Sequence, residues 1–181
     1  MKKIIILLYF LLCSTNVVAN ETGKKLNKLF NDLLISNNKT SSEIEQKIWK
    51  LWSTHPKDYE LTLLLAKGSD AVNNNQFIKA IDIFTNVINL DPNWAEAWNK
   101  RATVLYMIGE YEKSQNDINK VLELENRHFG ALAGQGLVNI KLKNYEKAIK
   151  SYEKALKIYP SMRSPEIMIK EIEALIKQDL I

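Results

Sequence analysis

Between Leu61 and Met162, apolar residues recur at spacings of three and four, and the pattern repeats when the chain is shifted by 34 residues. Phe77, Tyr111 and Tyr145 fall in register, as do Ala80, Ser114 and Ala148, and then Phe84, Ile118 and Tyr152. Val87, Val121 and Ala155 follow, and Leu90, Leu124 and Ile158 close the series. Upstream, Leu64, Trp98 and Leu132 form one column, and Gly68, Ala102 and Gly136 form a column of small residues. A spacing of three and four puts side chains on one face of a helix, so each unit predicts two amphipathic helices. Asn74-Asn75, Gly109-Glu110 and Lys143-Asn144 mark the turn between the two. Pro92 and Pro160 end second helices, because proline lacks the amide proton that continues the ladder. Small side chains in two columns let helix backbones approach closely.

The flanks carry the same periodicity without the full column set. Leu26, Leu29, Phe30, Leu33 and Leu34 form an apolar stripe. Ser42-Glu43-Ile44-Glu45 reads as a capping box opening a helix with Ile44, Ile48, Leu51 and Trp52 on one face. At the other end, Ser164-Pro165 reads as an N-cap and first helical residue, followed by Ile169, Ile172 and Ile176 on one side. The expected organisation is a helix pair over 20–60, three units at 61–94, 95–128 and 129–162, and a capping helix over 163–181.

These columns resemble the tetratricopeptide repeat (TPR). The resemblance implies an all-α solenoid of antiparallel helix pairs in a right-handed superhelix, with an N-terminal helical cap and a C-terminal capping helix. The middle unit departs from the family pattern twice, with Ser114 where the repeat has Ala and Asn126 where it has Pro. Ser114 is small enough to keep the packing, whereas Asn126 leaves the end of that helix open. The stretches Ile48-Trp49-Lys50-Leu51-Trp52, Trp98-Asn99-Lys100-Arg101 and Arg127-His128-Phe129-Gly130 also resemble a group of short exported bacterial TPR proteins. That second resemblance supports the cap and the compartment and adds no activity.

Composition narrows the picture further. At 46% hydrophobic and 25% charged residues, the chain is globular, and its single cysteine excludes a disulfide-stapled fold. Residues 1–19 read as an export signal, with Lys2 and Lys3 ahead of an apolar run from Ile4 to Leu12 and with Val17 and Ala19 at the cleavage site. That run is too short to cross a bilayer, which takes about 20 helical residues. The expectation is cleavage before Asn20, a periplasmic or secreted location, and no stable membrane span afterwards. Leu12 precedes Cys13 where lipoprotein signals want a small residue, so Cys13 reads as part of the apolar run. Net charge is +4, and removing Lys2 and Lys3 leaves +2 with scattered cations, which argues against a nucleic-acid partner.

Candidate chemistry is sparse. His55 and His128 are the only histidines, and their places at a turn and a helix start suit capping or surface roles. No His-Glu-x-x-His spacing, phosphate-binding glycine loop or nucleophile–base arrangement appears. No catalytic residue, cofactor or metal site is assigned, and the chain reads as a non-enzyme, with a small enzyme whose site no motif reveals as the remaining alternative. Lys141, Lys143, Lys147, Lys150, Lys154 and Lys157 enrich the third unit; Glu146 with Lys150 and Glu153 with Lys157 have the spacing of surface ion pairs. The alternative function drawn from this enrichment is binding to the cell wall or an anionic membrane surface.

The leading expectation is a scaffold that holds a peptide or protein segment in the groove lined by first helices. With Leu64, Trp98 and Leu132 on the buried side, the helical period places Ser69, Val72 and Asn73 in the groove in the first unit. The second unit supplies Asn99, Thr103, Tyr106 and Met107, and the third Leu137, Ile140 and Lys141. Some TPR proteins grip a partner's C-terminal carboxylate with Lys, Asn and Arg. The corresponding positions here are Leu65, Ser69, Lys100, Gly130 and Gly134, so that clamp is absent. Neither the partner nor the oligomeric state is written in the sequence.

Overall fold

The computed structural model describes residues 21–179; the proposed signal, the Asn20 start and Cys13 lie outside them. Among the described residues there are nine helices and no strand. Helix α1 covers residues 21–35. The others are α2 (Asn38–Trp52), α3 (Tyr59–Asn73), α4 (Phe77–Leu90), α5 (Ala95–Met107), α6 (Tyr111–Leu124), α7 (Phe129–Lys141), α8 (Tyr145–Ile158) and α9 (Arg163–Asp179). None is long and apolar enough to cross a membrane. The chain divides into two compact units between Thr62 and Leu63, within α3.

In the first unit, Leu26, Phe30 and Leu33 of α1 and Ile44, Ile48 and Trp52 of α2 are buried. The Phe30 and Trp52 rings lie 5.9 Å apart and tilted, an arrangement that adds to simple area burial. Leu34, expected in the stripe, is exposed. The capping box expected at Ser42 does not open α2. Asn37 caps the helix instead, its Oδ1 accepting from the amides of Lys39 and Thr40 at 3.2 and 3.1 Å. An Asn side chain satisfies orphan amides as well as a Ser does, and Ser41 is left buried inside the helix. His55 acts as a local cap, its Nδ1 accepting from the Asp58 amide at 2.8 Å, and Asp58 in turn accepts from the Glu60 amide at the start of α3.

The second unit repeats one plan. Two residues beyond each first helix the backbone enters the left-handed region: Asn75 at φ 56°, Gly109 at 84° and Lys143 at 59°. The next amide then bonds five residues back, Gln76 to Ala71, Glu110 to Leu105 and Asn144 to Asn139, at 2.7–2.9 Å. This satisfies carbonyls that the helix end would orphan, and it turns the chain sharply back. Each second helix opens on the aromatic column, Phe77, Tyr111 or Tyr145, and ends at Leu90, Leu124 or Ile158. Asn126 therefore does not shift the end of α6. Glu125 Oε1 accepts from the Arg127 amide at 3.1 Å, as Asp91 Oδ1 accepts from the Asn93 amide at 2.9 Å after α4.

Packing follows the small columns. A Cβ added at Gly68 would collide with the ring of Phe84, and one at Gly136 with the ring of Tyr152. The middle unit pairs Ala102 with Ile118, a slimmer side chain, so the methyl group fits there. Ser114 is fully buried and donates to the Ala102 carbonyl at 2.8 Å, which removes the penalty of burying its hydroxyl. Each helix from α4 onward packs on its neighbours in sequence, and α5 also touches α7. Helix α9 closes the unit by burying Ile172 against Ala148 and Tyr152, with Met168, Ile169 and Ile176 alongside. It begins at Arg163, before the predicted Ser164 cap. Pro165 thus falls in the first turn, where no amide proton is needed.

Candidate functional site

The groove residues expected from the sequence lie on first helices α3, α5 and α7, and the structure treats them unequally. Asn73, Thr103, Met107, Leu137 and Lys141 are exposed, with Met107 at 50%. Ser69, Val72, Tyr106 and Ile140 are half-buried. Asn99 stands apart from the others, although it also lines a crevice between α5 and α7. It is only 8% exposed, because its amide is committed to a buried polar cluster. Of the presumed buried column, Leu132 is enclosed, whereas Leu64 and Trp98 are half-buried. Trp98 donates its indole N–H to the Pro92 carbonyl at 2.9 Å and lies 5.0 Å beneath the Arg101 guanidinium.

Thr103 and Tyr106 of α5 meet Gly130, Gly134 and Leu137 of α7 around a crevice of about 80 Å³, with Asn99, Ser114 and Ile118 among its other walls. Two residues without side chains, one helical turn apart, keep the α7 backbone open at this point. Tyr106 packs 5.6 Å from Tyr111 and on the cluster of Ala102, Ile118 and Val121. Ile140 belongs to the next cluster, with Ala148 and Tyr152. Tyr152 is buried, and its hydroxyl is pushed up to about 12, first by burial and then by Tyr106 and Glu171.

Sequence reasoning missed two polar constellations. Glu96 and His128, both wholly buried at the side chain, meet at 3.1 Å between Oε2 and Nε2. Asn99 Nδ2 donates to the same carboxylate oxygen at 3.2 Å, and Lys100 Nζ stands 3.4 Å from the other oxygen. His128 is indeed a cap, since its Nδ1 accepts from the Ala131 amide at 3.0 Å, but it is buried and not a surface residue. The second constellation is the two-pronged bond from Arg101 to Asp117, at 2.7 and 2.8 Å, with a third bond to Thr85 at 3.0 Å. It ties α4, α5 and α6 together. Such residues look like solvated charges in a one-dimensional reading. Their partners lie 32 and 16 residues away, and only the local i to i+3 and i+4 spacing of Glu96 with Asn99 and Lys100 was visible.

The ion pairs expected between Glu146 and Lys150 and between Glu153 and Lys157 do not form among the described residues. Exposed pairs of this kind are worth only about 0.2–0.5 kcal/mol, too little to fix two long side chains. Among the described residues, no group of three His, Cys, Asp or Glu is placed to hold a metal ion. Of the clamp positions, Leu65 is buried, Gly130 and Gly134 carry no side chain, and Lys100 faces Glu96.

Residues 95–128 and 130–162 each match a family model described as Tetratricopeptide repeat. A TPR repeat-containing protein of Rhizobium etli is 40% identical over 78 residues, 43% of this chain and 38% of the relative. The Tetratricopeptide repeat protein 36 homolog of Nematostella vectensis is 32% identical over 79 residues, 44% of this chain and 40% of that protein. The matches thus span about two fifths of these curated relatives. Among solved structures, the Sgt2 TPR domain from Aspergillus fumigatus superposes with a TM-score of 0.64 at 21% identity, covering 67% of this chain and 82% of that one. The first TPR of Spaghetti (RPAP3), bound to the HSP90 peptide SRMEEVD, gives 0.63 at 21% identity, covering 65% of this chain and 93% of that one. At such identity the likeness concerns the fold.

Proposed function

We propose, for a chain that belongs to the tetratricopeptide repeat family, that it is an exported, non-enzymatic scaffold holding a peptide segment against α5 and α7. The general reading, a protein–protein interaction scaffold, agrees with its fold neighbours, one of which carries a bound peptide. The observation that carries the finer reading is the crevice at Gly130 and Gly134, lined by exposed Leu137 and by Tyr106, which exposed Met107 follows in sequence. Open backbone beside apolar anchors and amides is the mixture that recognises a side chain and the peptide bond next to it. Lacking the carboxylate clamp, the site reads an internal segment of its partner and not a C-terminal Glu-Glu-Val-Asp tail.

The test is capture from an envelope extract with the exported chain as bait, followed by titration of the recovered partner. Met107→Ala with Leu137→Ala removes two exposed anchors and leaves the core intact. Affinity should fall about 30-fold, the scale of an interface hot spot, with the melting temperature nearly unchanged. Unchanged affinity would overturn the groove reading. Export has its own test: intact-mass analysis after expression in a Gram-negative host should find a chain beginning at Asn20. A chain retaining residues 1–19 would refute cleavage.

A further inference from the structure

A niche of about 390 Å³ lies between α6, α7 and α8, away from the crevice described above. The repeat supplies its own control, because a niche of about 480 Å³ occupies the equivalent place between α4, α5 and α6, 34 residues earlier. The two are chemically opposite. Ile81 and Leu105 line the earlier niche, and Gln115 and Asn139 stand in their places in the later one. The Arg101–Asp117 ion pair of the earlier niche is replaced by a neutral bond, Ser151 Oγ to Gln135 Oε1 at 3.0 Å. The later floor is a chain of amides: Asn139 donates to Gln115 at 3.4 Å, Gln115 to Asn119 at 2.9 Å, and Gln135 to Asn119 at 3.4 Å.

Charge changes in the same direction. In the earlier unit, Lys113 pairs with Glu110 at 3.1 Å and Lys120 with Glu123 at 2.8 Å. The equivalent lysines, Lys147 and Lys154, line the later niche, but Asn144 and Lys157 replace their carboxylates. Lys150 joins them where the earlier unit has Asn116. Among the described residues none of these three lysines has an ion pair, and no carboxylate lines the niche. Three ammonium groups without a carboxylate partner thus converge on a floor of amides, where the earlier niche neutralises its own charges.

We infer that this niche binds a compact, hydroxyl-bearing anion of sugar-phosphate type. Lys147, Lys150 and Lys154 take the anionic group, since ammonium groups on flexible stems suit phosphate as point charges. The amides both donate and accept, which matches hydroxyl groups. Its volume suits a ligand of one or two rings, and its lining has no aromatic face for a base or an apolar ring. This site is independent of the peptide reading.

Calorimetric titration of the full chain with glucose 6-phosphate, inorganic phosphate and glucose tests the inference. The sugar phosphate should bind saturably, about tenfold tighter than phosphate and more than tenfold tighter than glucose. Lys147→Ala with Lys150→Ala and Lys154→Ala should weaken it at least tenfold, whereas Lys24→Ala with Lys57→Ala and Lys67→Ala removes equal charge elsewhere and should leave it unchanged. Gln115→Ile with Asn139→Leu, which restores the earlier niche's lining, should fold and not bind. No saturable binding, phosphate binding as tightly as the sugar phosphate, or equal weakening by both lysine sets would overturn the inference.

Discussion

Replacing His128 by alanine is expected to destabilise the protein by about 3–5 kcal/mol, the range for stripping one partner from a buried polar pair. The ring is wholly enclosed and makes two bonds at once. Because Nδ1 accepts from the Ala131 amide, a neutral ring carries its proton on Nε2 and donates it to Glu96. Alanine removes the cap of α7, opens a cavity, and leaves the enclosed Glu96 carboxylate with Asn99 and Lys100 alone. Glu96→Gln should cost much less, since its side-chain oxygen still accepts from both His128 and Asn99. In a double-mutant cycle, Glu96→Ala should add little once His128 is gone. Urea unfolding decides this, and a loss for His128→Ala within 1 kcal/mol of wild type would mean that the cluster is not coupled.

Gly136→Ala should also destabilise, by about 1–3 kcal/mol, although helix propensity alone predicts a gain of roughly 0.5–1 kcal/mol. The sign therefore tests the packing. An added methyl group would run into the Tyr152 ring, which is itself buried and has no room to withdraw. Combining Gly136→Ala with Tyr152→Ile copies the Ala102–Ile118 arrangement of the middle unit and should recover part of the loss. A stabilised single variant, measured by thermal or denaturant unfolding, would refute the collision.

The legibility of this chain follows from range. Much of what a helical period or a local turn sets could be read from the sequence: the 34-residue repeat, the aromatic starts at Phe77, Tyr111 and Tyr145, and the small residues between helices. Where two local signals competed, the reading slipped. Ser42-Glu43 looked like a cap, but Asn37 reached the free amides first. Charges were legible only as surface. Glu96 and Asp117 carry no mark of burial, because their partners arrive from the next repeat or across a helix pair. Asn99 both lines the crevice and bonds Glu96 within its own helix. The groove set otherwise emerged with some accessible surface, but the periodicity did not pick out Gly130 and Gly134, whose importance lies in what they leave open. The niche at Lys150 was hidden by the same habit of pairing neighbouring opposite charges.

Because each helix of the second unit packs mainly on those next to it in sequence, its contact order is low, and assembly does not have to wait for the chain's end. During synthesis α5 can dock on α4 before α7 has been made, and each later pair finds a finished template. Growth of this kind is vectorial. It keeps the interval during which any apolar face stands uncovered to the time needed to add one more helix. Only α9, which brings Ile172 onto Ala148 and Tyr152, ends that exposure.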